Sequence, residues 1–497
     1  MSWQQQPQQP YYNNNQYQSN PYQPGAPPGP SPEYATQYAP PPPQPFYNDT
    51  KSPYENDRFK PKKRINDPII LVLFILQFAG FVVVSAISIS SWVKDGGLGG
   101  GLGKGNTGTS VSLNQHTVYL LLLVTAAALL LSSVYLILEF TSLRFFVLYS
   151  TSHPVFTVIA LFSVLSYFGF RSRIPLASLL LQVVIDVSKH HKSVYVVAFL
   201  ALIVQALLAV WFTFAAIATY EKWTPGNPSC ATTSCSSGKV AGLIFFLTFS
   251  FLWTSQVIGN VALATLAGGP YGCWYYFGPR GEGDMPKHPT LSSFGRASTL
   301  SLGSIAFGSL IVALLELLKM ILHAAQNNAN ADGHPVEACL ACCAACFVGI
   351  IESLVEYFNR YAYIEIALYG KPYIKAAKDT WRLLADRGVS AIVNDSLVGM
   401  TLTWGAYAVG LLSSLFAYLY LRITAPSYNA DGNYTAPVLL FAFLIGLQCS
   451  LTLSSAIEAG VSTIFVGLGE DPQILAIRAP ALFGLIAQTY PDVVRGV

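Results

Sequence analysis

The chain has 497 residues; 52% are hydrophobic, 11% are charged, and the formal net charge is +3. A soluble chain carries roughly 25% charged residues, so this composition excludes an ordinary soluble multidomain protein. The small net charge, with no basic stripe interleaved with aromatics, sets nucleic-acid partners aside.

Residues 1–66 are rich in Gln, Asn, Pro and Tyr, with Pro40 to Pro43 unbroken. Such a segment buries too little apolar surface to offset its ordering entropy, so a disordered cytoplasmic tail is expected. Its proline run has the form of a ligand for cytosolic SH3 or WW modules, but a plainly solvated tail is the preferred reading.

A spanning helix needs about 20 apolar residues, because 1.5 Å per residue must cover roughly 30 Å of hydrocarbon. Nine segments qualify in chain order: Ile69–Trp92, Val118–Leu138, Val155–Phe170, Val194–Tyr220, Val240–Leu266, Leu300–His323, Val336–Val355, Leu397–Ile423 and Ala436–Leu468. A tenth, Ile174–Val187, is short and carries Gln182 and Asp186. Lys and Arg collect on cytoplasmic loops. If Ile174–Val187 crosses, the basic runs at Lys60–Arg64, at Lys189 and Lys192, and from Arg360 to Arg387 all fall inside. The expected architecture is therefore an all-α polytopic membrane protein. About ten spans fill residues 67–470, both termini are cytoplasmic, and residues 471–497 form a C-terminal tail.

Two external features fit this topology. Asn433-Tyr434-Thr435 is a glycosylation sequon before the last span, and Cys230 and Cys235 share an external polar loop where a disulfide is expected. Past Tyr369, Gly370 supplies a helix cap and Pro372 a stop. Ile374, Ala377, Trp381 and Leu384 then form an apolar stripe beside a basic face of Lys375, Lys378 and Arg382, the pattern of an interfacial helix under the inner leaflet.

No cofactor or metal is expected. Gly96–Gly105 fails as a phosphate loop, since Leu98 stands six before Lys104 and Gly105 follows it. Cys339, Cys342, Cys343 and Cys346 have metal-like spacing, but small residues packing against another helix are the preferred reading. No catalytic motif appears, so an enzyme is not expected.

Ionisable residues at membrane depth cost about 2.5–3.5 kcal/mol each at a helix centre, so they face a cavity or a partner. Glu316 can pair with Lys319, and Glu356 with Arg360, while Glu458 has no local partner. Gln256 and Asn260 share a face near Trp253, and Tyr407 lies one turn from Trp404. Buried aromatics beside carboxylates suit a quaternary ammonium, although helix packing is the commoner use. Trp253, Gln256, Asn260, Glu316, Trp404, Tyr407 and Glu458 are the candidate substrate path. Trp274, Tyr275 and Tyr276 read as an interfacial aromatic belt.

The run Asn359-Arg360-Tyr361-Ala362-Tyr363-Ile364-Glu365-Ile366-Ala367-Leu368-Tyr369-Gly370-Lys371 resembles the signature of the choline transporter-like family. Glu356 stands just before it, and Gly303 to Leu310, with Gly303, Gly308 and Ser309, is similar to the family's segment in the seventh span. The head and the C-terminal end resemble the fungal "pH nine sensitive" branch. The resemblance implies ten spans, cytoplasmic termini, a plasma-membrane location and transport of a small organic cation such as choline by alternating access. The loop Val93–Thr117 departs from the large folded loop of animal members, so nothing that loop does carries over. A non-transporting scaffold or lipid-handling protein that recruits partners through its tail is the alternative.

Overall fold

The computed structural model describes residues 64–94, 174–225, 235–278, 286–387, 389–426 and 429–489. The expected spans Val118–Leu138 and Val155–Phe170, the head up to residue 63, and Cys230 lie outside the described residues.

All regular structure among the described residues is helical. The membrane-length elements are α1 (Pro68–Lys94), α3 (Ser193–Trp223), α4 (Ser237–Leu266), α7 (Leu302–Ala331), α8 (Pro335–Tyr369), α10 (Val389–Thr424) and α11 (Thr435–Glu470). Among the described residues, seven helices are long and apolar enough to cross a membrane; α4 counts together with its continuation to Phe277, and α10 over Val398–Thr424. The remaining elements are α2 (Ile174–His190), α5 (Gly272–Phe277), α6 (Pro289–Gly295), α9 (Tyr373–Arg387), α12 (Pro472–Arg478) and α13 (Pro480–Thr489). At 17 residues, α2 is shorter than the seven, and spans roughly 25 Å.

These helices are apolar around most of their circumference, as lipid contact requires. Leu76, Leu207, Leu340, Phe347 and Leu354 are all exposed, so their outer faces can only be solvated by hydrocarbon. Cys339, Cys343 and Cys346 are exposed on the same outward part of α8, which corrects the expectation that they pack against a neighbour. Their small size is not used for close approach among the described residues.

Helix α4 continues beyond Leu266 through a π-helical turn at Ala267–Tyr271 into α5. Gly269 leaves the helical region there (φ −104°, ψ −106°), and Pro270 removes a donor. A proline and a π turn together account for the break. The turn re-aims the chain inward. Tyr275 and Tyr276 are 1% and 4% exposed, so they are core residues and not the expected interfacial belt.

The segment before α1 is tied to the signature region by polar contacts. Asn66 donates from its backbone N–H to Leu300 O (2.9 Å) and from Nδ2 to Gly370 O (3.0 Å). Asp67 Oδ2 accepts from Ser304 Oγ (2.6 Å) and from the Tyr373 N–H (2.9 Å). Asn359 donates to Gly308 O (3.1 Å) and accepts from Tyr373 Oη (2.6 Å). Burial pushes the Tyr373 phenol up to about 12, so it stays protonated and keeps this donor role. A β-carbon on Gly308 would collide with the Tyr363 hydroxyl and the Tyr373 ring. Gly370 closes α8 in the left-handed region (φ 64°), its N–H bonded to Ile366 O, where a side chain is strained.

Beyond α11 the chain is not a loose tail: Leu475, Leu482 and Ile486 of α12 and α13 are buried. Cys235 is disulfide-bonded, whereas the six other described cysteines are free.

Two expectations follow. Gly308→Ala should lower stability by about 1–3 kcal/mol, since its neighbours are packed rings, and a thermal melt of purified protein in detergent measures it; an unchanged midpoint would deny the close approach. Mass spectrometry of non-reduced peptides should find Cys230 as the partner of Cys235, and alkylation of Cys230 without reduction would exclude it.

Candidate functional site

A cavity of about 290 Å³ lies between α3, α4, α8 and α11. Helix α3 contributes Gln205 and α4 contributes Gln256 and Asn260; α8 contributes Glu356, Asn359, Arg360 and Tyr363, and α11 contributes Gln448, Thr452, Ser455 and Glu458. Each group projects from a regular helix, so the lining is positioned by packed scaffold.

Arg360 Nη2 donates to Glu458 Oε2 at 2.9 Å, joining α8 to α11 across the cavity. This corrects one expectation and agrees with another. Arg360 makes its ion pair with Glu458 on another helix rather than with Glu356 one turn away. Glu458, without a partner along its own helix, is matched from α8. Likewise Lys319 pairs with Glu352 of α8 at 2.5 Å, not with Glu316. Both cationic side chains are long enough to cross the interhelical gap, where they answer a charge that would otherwise stand alone in hydrocarbon.

Glu316, Glu352 and Glu356 lie near one another and near Lys319, and Glu356 also feels Arg360. Gln256 lies near both Glu316 and Glu356. With Glu458, the neighbourhood holds four carboxylates and two cationic side chains. A formal excess of negative charge at depth in low dielectric favours a cationic occupant.

Of the seven candidate path residues, Gln256, Asn260 and Glu458 line the cavity. Glu316 is not part of its lining. Trp253 is 3% exposed and packs edge-on against Phe74, its Nε1 donating to Ala306 O at 2.9 Å. It belongs to the core between α4 and α7. Trp404 and Tyr407 are 43% and 44% exposed on the outer face of α10 and do not reach the cavity. The candidate aromatics Trp253, Trp404 and Tyr407 therefore do not line the cavity, and Tyr363 is the aromatic that does among the described residues.

The motif residues divide into two sets. Glu356, Asn359, Arg360 and Tyr363 face the cavity. Gly303, Gly308, Ser309, Ala362 and Gly370 build the wall behind it: Ser309 Oγ accepts from Asn260 Nδ2 (3.0 Å), and Ala362 is buried at 0%. Sequence reasoning missed Gln205, Gln448, Thr452 and Ser455. The available signal was an isolated amide in each of two otherwise apolar spans, the same cue that singled out Gln256.

Beyond Leu266 and Ala456, which line the cavity, lies a set of hydrogen-bonded tyrosines. Tyr271 donates to Ala456 O (2.9 Å) and meets Ser188 Oγ (3.2 Å). Tyr275 donates to Asp471 O (3.0 Å), and Tyr276 donates to Asp471 Oδ2 (2.9 Å) and meets Tyr369 Oη (2.6 Å). Beside them Lys371 bridges Glu365 (2.7 Å) and Asp379 (2.8 Å).

The sequence model of the plasma-membrane choline transporter family matches residues 154–473. A Protein PNS1 from Cryptococcus neoformans var. neoformans serotype D is 56% identical over 485 residues, covering 91% of this chain and 88% of the relative. Proteins of the same name from Mycosarcoma maydis and Gibberella zeae are 42% and 39% identical, over 92% and 90% of this chain and 90% and 86% of theirs. A match of this extent to the family, on a scaffold of membrane-length helices, makes the chain a multi-pass membrane protein that belongs to the choline transporter-like family.

Proposed function

We propose that this protein carries choline or a related small organic cation across the plasma membrane by alternating access, with both termini cytoplasmic. The observation that supports the cation most directly is the cavity lined by Glu356 and Glu458, with carboxylates in excess of cationic side chains. The amides of Gln205, Gln256 and Asn260 offer hydrogen bonds to the polar part of such a substrate. The break at Gly269–Pro270 offers a place to bend, which alternating access requires.

The direct test is uptake by purified protein in liposomes against a panel of amines. Glu356→Gln should weaken apparent affinity while surface abundance stays normal; unchanged affinity would remove Glu356 from the path. Trp253→Ala should instead lower the amount of folded protein and leave affinity alone.

The ion pair behaves differently. Glu458→Gln removes the charge that Arg360 Nη2 meets at 2.9 Å, so folded protein should fall. Combining Arg360→Met with Glu458→Leu should recover abundance without recovering uptake. Additive losses of abundance in this cycle would show that the two side chains do not act as a pair.

Orientation is checked by labelling. A cysteine at Lys378 should react only from inside, and one at Ser427 only from outside; labelling of position 378 on intact cells would invert the topology.

A further inference from the structure

The helix α9 links two membrane-length helices, α8 and α10, and its three faces have different chemistry. One face packs inward: Tyr373, Ala376 and Thr380 are buried, and Asp379 turns in to Lys371 at 2.8 Å. A second face is apolar and uncovered, with Ile374 56% and Trp381 68% exposed. The third carries Lys375, Lys378 and Arg382, all exposed, with the Arg382 side chain 75% exposed and only 3.8 Å from Asp379 at its nearest. A contact that long at that exposure contributes little.

Exposed Trp and Ile in an aqueous setting would be unfavourable, but beside the ends of two spans they lie where headgroups meet acyl chains. The adjacent basic face then lies at phosphate depth. The acid of this helix that the structure places, Asp379, is withdrawn into the protein, so the outward charge is cationic. Leu291 and Phe294 of α6 and Ile477 of α12 are likewise exposed near the ends of α4 and α11, which extends the apolar rim beyond α9.

We infer that α9 is a seat for anionic phospholipid, with Ile374 and Trp381 entering the acyl region and Lys375, Lys378 and Arg382 holding lipid phosphates. The occupant is a bilayer lipid and not a soluble phosphate, because the apolar and basic faces are adjacent along the whole helix. Asp379 connects this seat to the protein interior: through Lys371 it reaches Glu365, whose side chain is fully buried at the end of α8. Lipid held at Arg382 thus sits next to the ion pairs that fasten α8 to α9. This inference does not depend on which substrate the cavity takes.

Native mass spectrometry of the full-length protein, delipidated and then titrated with defined lipids, tests it. Wild-type protein should retain phosphatidylglycerol or phosphatidylserine in preference to phosphatidylcholine. Neutralising Lys375, Lys378 and Arg382 together to Gln should lower that retention, with roughly a fivefold loss for each charge removed. The charge-preserving set Lys375→Arg, Lys378→Arg and Arg382→Lys should keep it, which guards against a general folding defect. Trp381→Ala should weaken all lipids alike. Glycerophosphate added as a soluble competitor should displace little; full displacement would identify a phosphate site without a lipid requirement and overturn the lipid seat. Equal retention of anionic and zwitterionic lipid by wild type, or undiminished retention by the triple Gln variant, would also overturn it.

Discussion

Hydrocarbon offers a charged side chain no water, so the position of every ion at depth must be settled by another helix. Here α8 carries two such settlements, Lys319–Glu352 toward α7 and Arg360–Glu458 toward α11. Each charge costs about 2.5–3.5 kcal/mol to place at the centre of a membrane helix, and in a pair that cost is reduced only while the partner is in reach. The two pairs lie about two turns apart on α8 and point to different neighbours. Together they fix its height and rotation, and the cavity follows from that placement. Glu356 sits between the paired positions and faces the space that Arg360 and Glu458 border.

A second constraint acts at the end of α8, where polar groups replace ions. Asp67 receives Ser304 and the start of α9, while Asn359 bonds α7 through Gly308 O and α9 through Tyr373. These contacts form only because residues 303 and 308 lack a β-carbon, which lets the segment before α1 and the rings of Tyr363 and Tyr373 approach α7 closely. The family signature therefore mixes two kinds of residue. Arg360 and Tyr363 look into the cavity, whereas Gly308, Gly370 and Ala362 hold the wall in place. Asn359 does both, bordering the cavity while bonded to the wall.

What the sequence revealed followed from its strongest physical signal. Seven apolar runs became seven membrane-length helices, and the Gly370–Lys371–Pro372 stop and the amphipathic helix after it lie where composition placed them. The misreadings came from judging partners along a single helix. Spacing of three or four residues made Lys319 and Arg360 look locally paired, but long cationic side chains reach across an interhelical gap as readily as along a turn. For Trp253, depth was legible and direction was not, since an apolar all-round helix shows no face to a reader of the sequence. The carbonyl of Ala306 that satisfies its indole belongs to another helix and has no side-chain signature. Tyr275 and Tyr276 looked interfacial because they follow the end of the apolar run Val240–Leu266, whereas a π turn carries the chain onward and inward.

That turn also bears on where the chain could bend. The tyrosine layer is held to α11 and its end by Tyr271 to Ala456 O, Tyr275 to Asp471 O and Tyr276 to the Asp471 carboxylate. Neutral hydrogen bonds contribute about 0.5–1.5 kcal/mol each, and one to a charged acceptor about 1.5–3. Their sum is a few kcal/mol, the scale on which two conformations of one protein coexist. The tyrosines ride on a short segment that begins at the break, so Gly269 can absorb a rotation that leaves α4 and its cavity-lining Gln256 and Asn260 in place. Breaking Arg360–Glu458 would be more costly, because it separates two partly buried opposite charges. On the transport reading, movement is therefore expected in the tyrosine segment and not between α8 and α11. On that reading the ion pair keeps α8 and α11 together while the tyrosine segment moves.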